Sequence, residues 1–287
     1  MKAISFIVPK TLEGQRLQII VFRQLSYLPE YSLRNAFKQH DVKIDGVRGT
    51  RDAIVSSDAV ITVYIADTCV PKAPQIHYED EHLLVIDKPA GVSCDTDDAG
   101  DTPIGTLLTL CYPQRFQMPP IPCHRLDNPT SGLLLLAKGE RAAKAMEQAF
   151  RKHQIHKQYM CLVRGIPSPT EAVLDAYLYK DEHRARVTIM DRPAASALLI
   201  RTEYHVMEAS EVSRLRVVLH TGRTHQIRAH LAYLGHPLLG DDKYGDRAFN
   251  REHRAKRLML SATSLRFSIT GEFDYLNGIH IEIPPTF

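Results

Sequence analysis

The sequence predicts an α+β protein, a mixed and largely antiparallel sheet with flanking helices, preceded by a small module of its own. Three observations predict it. Apolar runs of strand length recur along the 287 residues, the helical stripes stand apart from them instead of alternating strand by strand, and a proline-containing segment near residue 70 divides two differently patterned regions.

In order, "GQRLQIIVFRQL" and "YSLRNAFKQHD" read as two short helices, and "VKIDGVRG" and "AVITVYIA" as strands around an Asp45-Gly46 turn. That defines a module over residues 1–70, with "DTCVPKAPQIHYED" as linker and residues 71–287 as the larger domain. In the larger domain "HLLVIDKPAGV" is a buried strand ending in a turn at Lys88-Pro89, and the acidic "CDTDDAGD", residues 94–101, is an exposed loop. "IGTLLTLCY" is helical, and three prolines in "QMPPIPC" break it. "GLLLLAK" is a strand. "GERAAKAMEQAFRK" is a helix whose apolar stripe is Ala142, Met146, Ala149 and Phe150. "KQYMCLVRG", "EYHVMEA" and "SRLRVVLHTG" are strands, "RTHQIRAHLAYLG" is an amphipathic helix with Ile227, Leu231 and Leu234 on one face, and residues 258–282 hold further strands.

A chain that is 44% hydrophobic and 24% charged builds a sizeable core, and no apolar run approaches the roughly 18 residues of a membrane span. Its start, "MKAISFIVPKTLEGQRLQ", lacks the apolar stretch of a secretory signal and the acid-free composition of a transit peptide, so a cytoplasmic protein is expected. The five cysteines, Cys69, Cys94, Cys111, Cys123 and Cys161, are far apart and form no CxxC pair. Reduced thiols are expected, with neither a disulfide framework nor a metal site. The net charge of +3 is ordinary, but six Lys/Arg against one acid lie between Arg141 and Arg164, and eleven against seven between Arg201 and Arg257. Such patches suit an anionic partner and equally a solvated helix face.

The stretch "CHRLDNPTSGLLLLAK" sets one carboxylate, Asp127, in a loop closed by Thr130-Ser131-Gly132 and anchored by Leu133–Leu136. A buried strand holds a flanking loop accurately, which suits a reacting group. A plain Asx turn, in which Asp127 bonds nearby backbone amides, explains the same stretch.

The order "YEDEHLLVIDKPAGV", "HRLDNPTSGLLLLAK", "KQYMCLVRG" and "LHTGRTHQIRAHLAYLGHPLLGDDKYG" resembles the RluA family of RNA pseudouridine synthases, from about residue 76 to the C-terminus. Residues 1–70 resemble the S4 RNA-binding domain that often precedes it, with Gln18 where an acidic residue is usual. The resemblance implies the pseudouridine synthase fold and isomerisation of uridine in ribosomal or transfer RNA. It implies Asp127 as the catalytic carboxylate, Tyr159 as the stacking ring and Arg228 as the basic partner. His124, Arg125, Thr130, Arg223, His225 and Gln226 belong to the same motifs and are expected around the substrate. The basic residues Arg141, Lys144, Arg151, Lys152, Lys157, Arg223 and Lys243 become candidates for phosphate contacts.

The isomerisation involves no redox change and no group donor, so no cofactor and no metal are expected, and a monomer suffices. Two other classes compete. A non-catalytic RNA-binding or ribosome-assembly factor has no need of Asp127, Tyr159 and Arg228 together. A nucleoside hydrolase or glycosidase uses a carboxylate pair or a metal, and the nearest further carboxylates, Asp95, Asp97, Asp98 and Asp101, fall in the acidic loop.

Overall fold

The computed structural model describes residues 1–25, 28–70, 72–95, 103–181 and 186–287. They form two compact units, one of Met1–Gln75 with Gly91–Pro122, the other of Ile76–Ala90 with Cys123–Phe287. The expected boundary near residue 70 lies close to the end of the first stretch, while residues 91–122, read in sequence with the larger domain, group with the first unit.

The first unit opens with β1 (Lys2–Ile7), α1 (Leu17–Gln24) and α2 (Glu30–Lys38), followed by β2 (Val42–Ile44), β3 (Val47–Arg48) and β4 (Val60–Ile65). The strands form an antiparallel sheet in the order β1-β4-β2-β3. Asp45 and Gly46 both take positive φ, 47° and 83°. That is the backbone twist a two-residue hairpin requires, and Asp-Gly is the pair that supplies it. Leu17, Ile20 and Val21 of α1 and Leu33 and Phe37 of α2 are buried, and the Phe22 and Phe37 rings stack at 6.3 Å.

The chain then passes through β5 (Ile76–Glu79) and β6 (Leu83–Lys88) of the second unit and returns as α3 (Pro103–Cys111) and β7 (Ile121–Pro122) of the first. Of the acidic loop expected at 94–101, residues 96–101, including Asp97, Asp98 and Asp101, lie outside the described residues.

The second unit continues with β8 (Ser131–Ala137), α4 (Glu140–Arg151), β9 (Ile155–Arg164), β10 (Glu171–Asp181), β11 (Arg186–Met190), β12 (Leu198–Glu208), β13 (Val212–Leu219), α5 (Gln226–Tyr233), α6 (Arg247–Glu252), β14 (Leu260–Phe267) and β15 (His280–Glu282). Its sheet runs β11-β10-β12-β13-β9-β14-β8-β6-β5, with β15 also on β14. The pairings along this order, and β14 with β15, are antiparallel except β8 with β14. The fold is therefore α+β with a mixed, largely antiparallel sheet.

β8 is buried along its whole length, which explains its unbroken leucines: a strand covered on both faces has no polar side to display. Each buried leucine contributes roughly 1.5–3 kcal/mol, and together they make β8 a stiff support for the loop before it. On β9, Ile155, Tyr159, Cys161 and Val163 are buried and alternate with half-exposed neighbours, so Tyr159 lies on the core-facing side.

α5 departs from the expected one-sided helix. Its residues Gln226–Leu231 are all buried, whereas Leu234, expected on the apolar stripe, is 37% exposed and follows the helix. A helix enclosed all round brings Arg228 and His230 into the interior. Among the described residues no helix is long and apolar enough to cross a membrane.

Candidate active site

The Asp127 loop is fixed from three directions. Thr130 N–H donates to the Asp127 carbonyl at 2.9 Å, closing the turn. Lys88, at the end of β6, is fully buried and donates its ammonium to the carbonyls of Pro89 at 2.9 Å and Asn128 at 3.3 Å. At Gly132 the backbone has φ +107°, and a Cβ there would stand 2.2 Å from the Ala262 carbonyl oxygen. Only glycine permits that approach of β8 to β14 at the foot of the loop.

The Asp127 carboxylate meets Arg228. Nη1 of Arg228 donates to Asp127 Oδ2 at 3.3 Å, while Nε and Nη2 donate to Asp241 at 2.8 and 2.9 Å. One guanidinium thus bridges two carboxylates. Asp241 is fully buried, and its Oδ1 also accepts the N–H groups of Lys243 and Tyr244, each at 2.9 Å. Burial works to raise Asp241, but Arg228 and the two amides outweigh it and hold the carboxyl below its usual range. Burial likewise works to lower Arg228, and Asp241 and Asp127 more than offset it, so the guanidinium stays charged.

His225 completes the group around Asp127. It occupies the N-cap of α5 with φ 55°, and its Nε2 lies 4.0 Å from Asp127 Oδ2. Its Nδ1 is 2.9 Å from the Tyr244 hydroxyl, which accepts from Val187 N–H at 2.9 Å. Burial keeps His225 below its ordinary range against the pull of Asp127, so the ring is neutral at pH 7. The Tyr244 ring also lies under the guanidinium of Arg228, centroid to Cζ 5.4 Å.

Tyr159 enters through strand register. Its Cα partners are Val217 on β13 and Ala262 on β14, and Ala262 in turn pairs with Gly132 on β8. It therefore stands two strands, roughly 10 Å, from the foot of the Asp127 loop. The remaining expected residues divide by exposure. Arg125 and Arg223 are exposed, on the Asp127 loop and on the turn before α5. His124 turns toward α4, accepting Leu135 N–H on Nε2 at 3.1 Å with its ring 4.6 Å from Phe150. Thr130 and Gln226 are buried. The Gln226 amide accepts from the Thr221 hydroxyl and Arg223 N–H at 2.9 and 3.1 Å and donates to the Thr202 hydroxyl and the Arg201 carbonyl at 2.9 and 3.2 Å. Its hydrogen-bonding capacity is used in holding the turn that carries Arg223.

The RNA pseudouridylate synthase profile matches residues 82–233, just over half of the chain and all of Asp127, Tyr159 and Arg228. The chain belongs to that family. As a pseudouridine synthase it is an isomerase acting on RNA. It is similar to an uncharacterized RNA pseudouridine synthase of Mycoplasma pneumoniae, 33% identical over 93% of this chain and 89% of the relative. Ribosomal large subunit pseudouridine synthase C of Vibrio vulnificus is 28% identical over 91% of this chain and 87% of its own. A solved structure, human RNA Pseudouridylate Synthase Domain Containing 1, matches with a TM-score of 0.61 and 27% identity, covering 74% of this chain and 84% of that one.

Three residues that support the loop and the side chains around Asp127 carry no expected role in the sequence: Asp241, Tyr244 and Lys88. The first two stand in "GDDKYG", a motif of the resemblance with no role attached to its residues, and Lys88 marks only the end of a strand in sequence. Among the described residues, Glu211, Glu252 and His253 bring ligand atoms within 4.8 Å of one another, but both glutamates are exposed, and such acidic groupings are common without an ion.

Proposed function

We propose that this synthase isomerises specific uridines of ribosomal RNA, the substrate named for several relatives, with transfer RNA as the second substrate class. The observation that carries the mechanism is the Arg228 guanidinium shared between Asp127 and Asp241.

The reaction breaks the C1′–N1 bond, turns the uracil while it stays bound, joins C5 to C1′ and releases the C5 proton. Positive character develops at C1′. An ionised Asp127 serves that centre by stabilising the charge, by attacking it, or by taking the 2′ proton, and all three need a charged carboxylate in a partly dehydrated pocket. Arg228 offsets the cost of keeping it charged. Because Asp241 takes two of the three guanidinium contacts, Asp127 is held by one hydrogen bond of 3.3 Å and stays available to the ribose.

Tyr159 supplies the platform on which the flipped uracil stacks, worth roughly 1–3 kcal/mol, and the nucleotide leaves its stem to reach it. Arg125 fills the vacated space or binds flanking phosphates, and Arg223 contacts phosphate from the turn before α5. His124, Thr130, His225 and Gln226 orient the loops that carry these groups. Residues 1–70 act as the S4-like RNA-binding module and residues 71–287 as the catalytic domain. The reading is of a cytoplasmic monomer working without cofactor or metal.

The test is conversion of an unmodified large-subunit ribosomal RNA transcript by purified protein with no metal or cofactor added. Pseudouridine at one or more discrete positions is expected; its absence from both ribosomal and transfer RNA transcripts would overturn the reading.

A further inference from the structure

Among the basic residues of the second unit, Lys157 stands apart. Arg141, Lys144 and Arg151 are exposed and neutralised by Glu272, Glu140 and Glu147 at 2.6, 3.4 and 3.9 Å. Lys157 is half-buried and, among the described residues, has neither a hydrogen bond nor an ion pair for its ammonium. Its ammonium lies over the ring of Phe150, centroid to Nζ 5.1 Å. A cation withdrawn from water without an anion is costly, and burial pushes Lys157 down to about 8. Among the described residues no carboxylate pairs with it, and burial holds the nearby His124 ring neutral, so that ring adds no second positive charge.

The position explains why such a cation is kept. Lys157 and Tyr159 lie two residues apart on β9, on the same face and roughly 7 Å from each other along the strand. The ammonium also faces the turn before α5: a Cβ built on Gly222 would have Lys157 Nζ, at 3.8 Å, as its neighbour. Gly222 is exposed, so the absence of a side chain leaves the ammonium open on the side where the turn carries Arg223.

We propose that Lys157 is a dedicated phosphate site, binding the RNA phosphodiester that flanks the flipped uridine, with Gly222 keeping its approach clear. The inference rests on the synthase reading above and on Tyr159 as the base platform. The bound phosphate supplies the counter-charge that the described residues do not, so Lys157 stabilises the complex and destabilises the free enzyme.

The test uses a ribosomal RNA transcript that the wild-type enzyme converts, with Lys157→Met, which keeps the stem over Phe150 and removes the charge, and Gly222→Val, which blocks the approach. Lys157→Met is expected to raise KM at least five-fold with kcat within two-fold. The slope of log affinity against log salt should fall by about 0.7–0.9, the value of one phosphate contact. Its Tm should equal or exceed that of the wild type. Gly222→Val should raise KM likewise, and an uncharged methylphosphonate beside the converted uridine should weaken the wild type but not Lys157→Met. An unchanged KM and salt slope, or a lowered Tm with parallel loss of kcat, overturns the inference while leaving the synthase reading intact. A wild-type enzyme that converts no uridine overturns both.

Discussion

Asp241 holds Arg228 by two hydrogen bonds of 2.8 and 2.9 Å in full burial, and Arg228 gives its remaining Nη1 to Asp127. Asp241→Asn preserves the shape of this arrangement and removes its fixed charge, freeing the guanidinium to turn toward Asp127. Misplacement of a reacting group by about 1 Å costs on the order of 10²-fold. Steady-state kinetics of Asp241→Asn should show that loss in kcat with KM little changed. A variant as fast as wild type would show that Asp241 only fills space.

Arg228→Met leaves two carboxylates facing an apolar side chain, one of them without access to water. Breaking a buried ion pair from one side costs about 3–5 kcal/mol, and urea denaturation should register it. Arg228→Lys should recover part of that stability but little activity, since a point charge cannot make three directed hydrogen bonds to two carboxylates.

Gly132→Ala combines a positive φ of +107° with a Cβ 2.2 Å from the Ala262 carbonyl oxygen. β8 and β14 must separate to admit it, at a cost of about 3 kcal/mol or more. The expected result is a lowered Tm together with lost activity, because the Asp127 loop begins where the strands part. A variant with normal Tm would place the close approach elsewhere.

Acid should weaken the fold before the carboxylates titrate. Burial keeps His124, His225 and His230 below their ordinary value of 6.5. A histidine with a depressed folded-state pKa binds its proton more readily when unfolded, so its contribution to stability is whole above 6.5 and is lost as pH falls toward the folded-state values. Denaturation midpoints should decline from their pH 7 value between about pH 6.5 and 5. His230→Gln, which replaces a ring 3.0 Å from Thr202 Oγ1, should make that decline shallower.

Much of this fold is legible in sequence because its signals are local. Four successive leucines announce a strand covered on both faces, alternation places Tyr159 with Cys161 and Val163, and Asp45-Gly46 fixes a hairpin. β1, β10 and β11 are harder to read, since each exposes much of its surface and its alternation is diluted by residues such as Ile7, Val173 and Tyr179 that face water. The supports of the site are hardest. Asp241 is fully buried and its neighbour Asp242 has a 97% exposed side chain, a contrast that nothing in "GDDKYG" distinguishes. Lys88 is equally hidden from a sequence reading, because lysine is almost never buried unless tertiary structure supplies acceptors, here the carbonyls of Pro89 and Asn128.

The central claim is that Asp127 acts on the ribose of an RNA uridine. Pseudouridine maps of total RNA from cells carrying the wild-type chain and from cells carrying Asp127→Asn at matched protein levels test it directly. The account predicts that at least one ribosomal or transfer RNA position is modified in the first and unmodified in the second. Identical maps, with the wild-type protein present and folded, would contradict it.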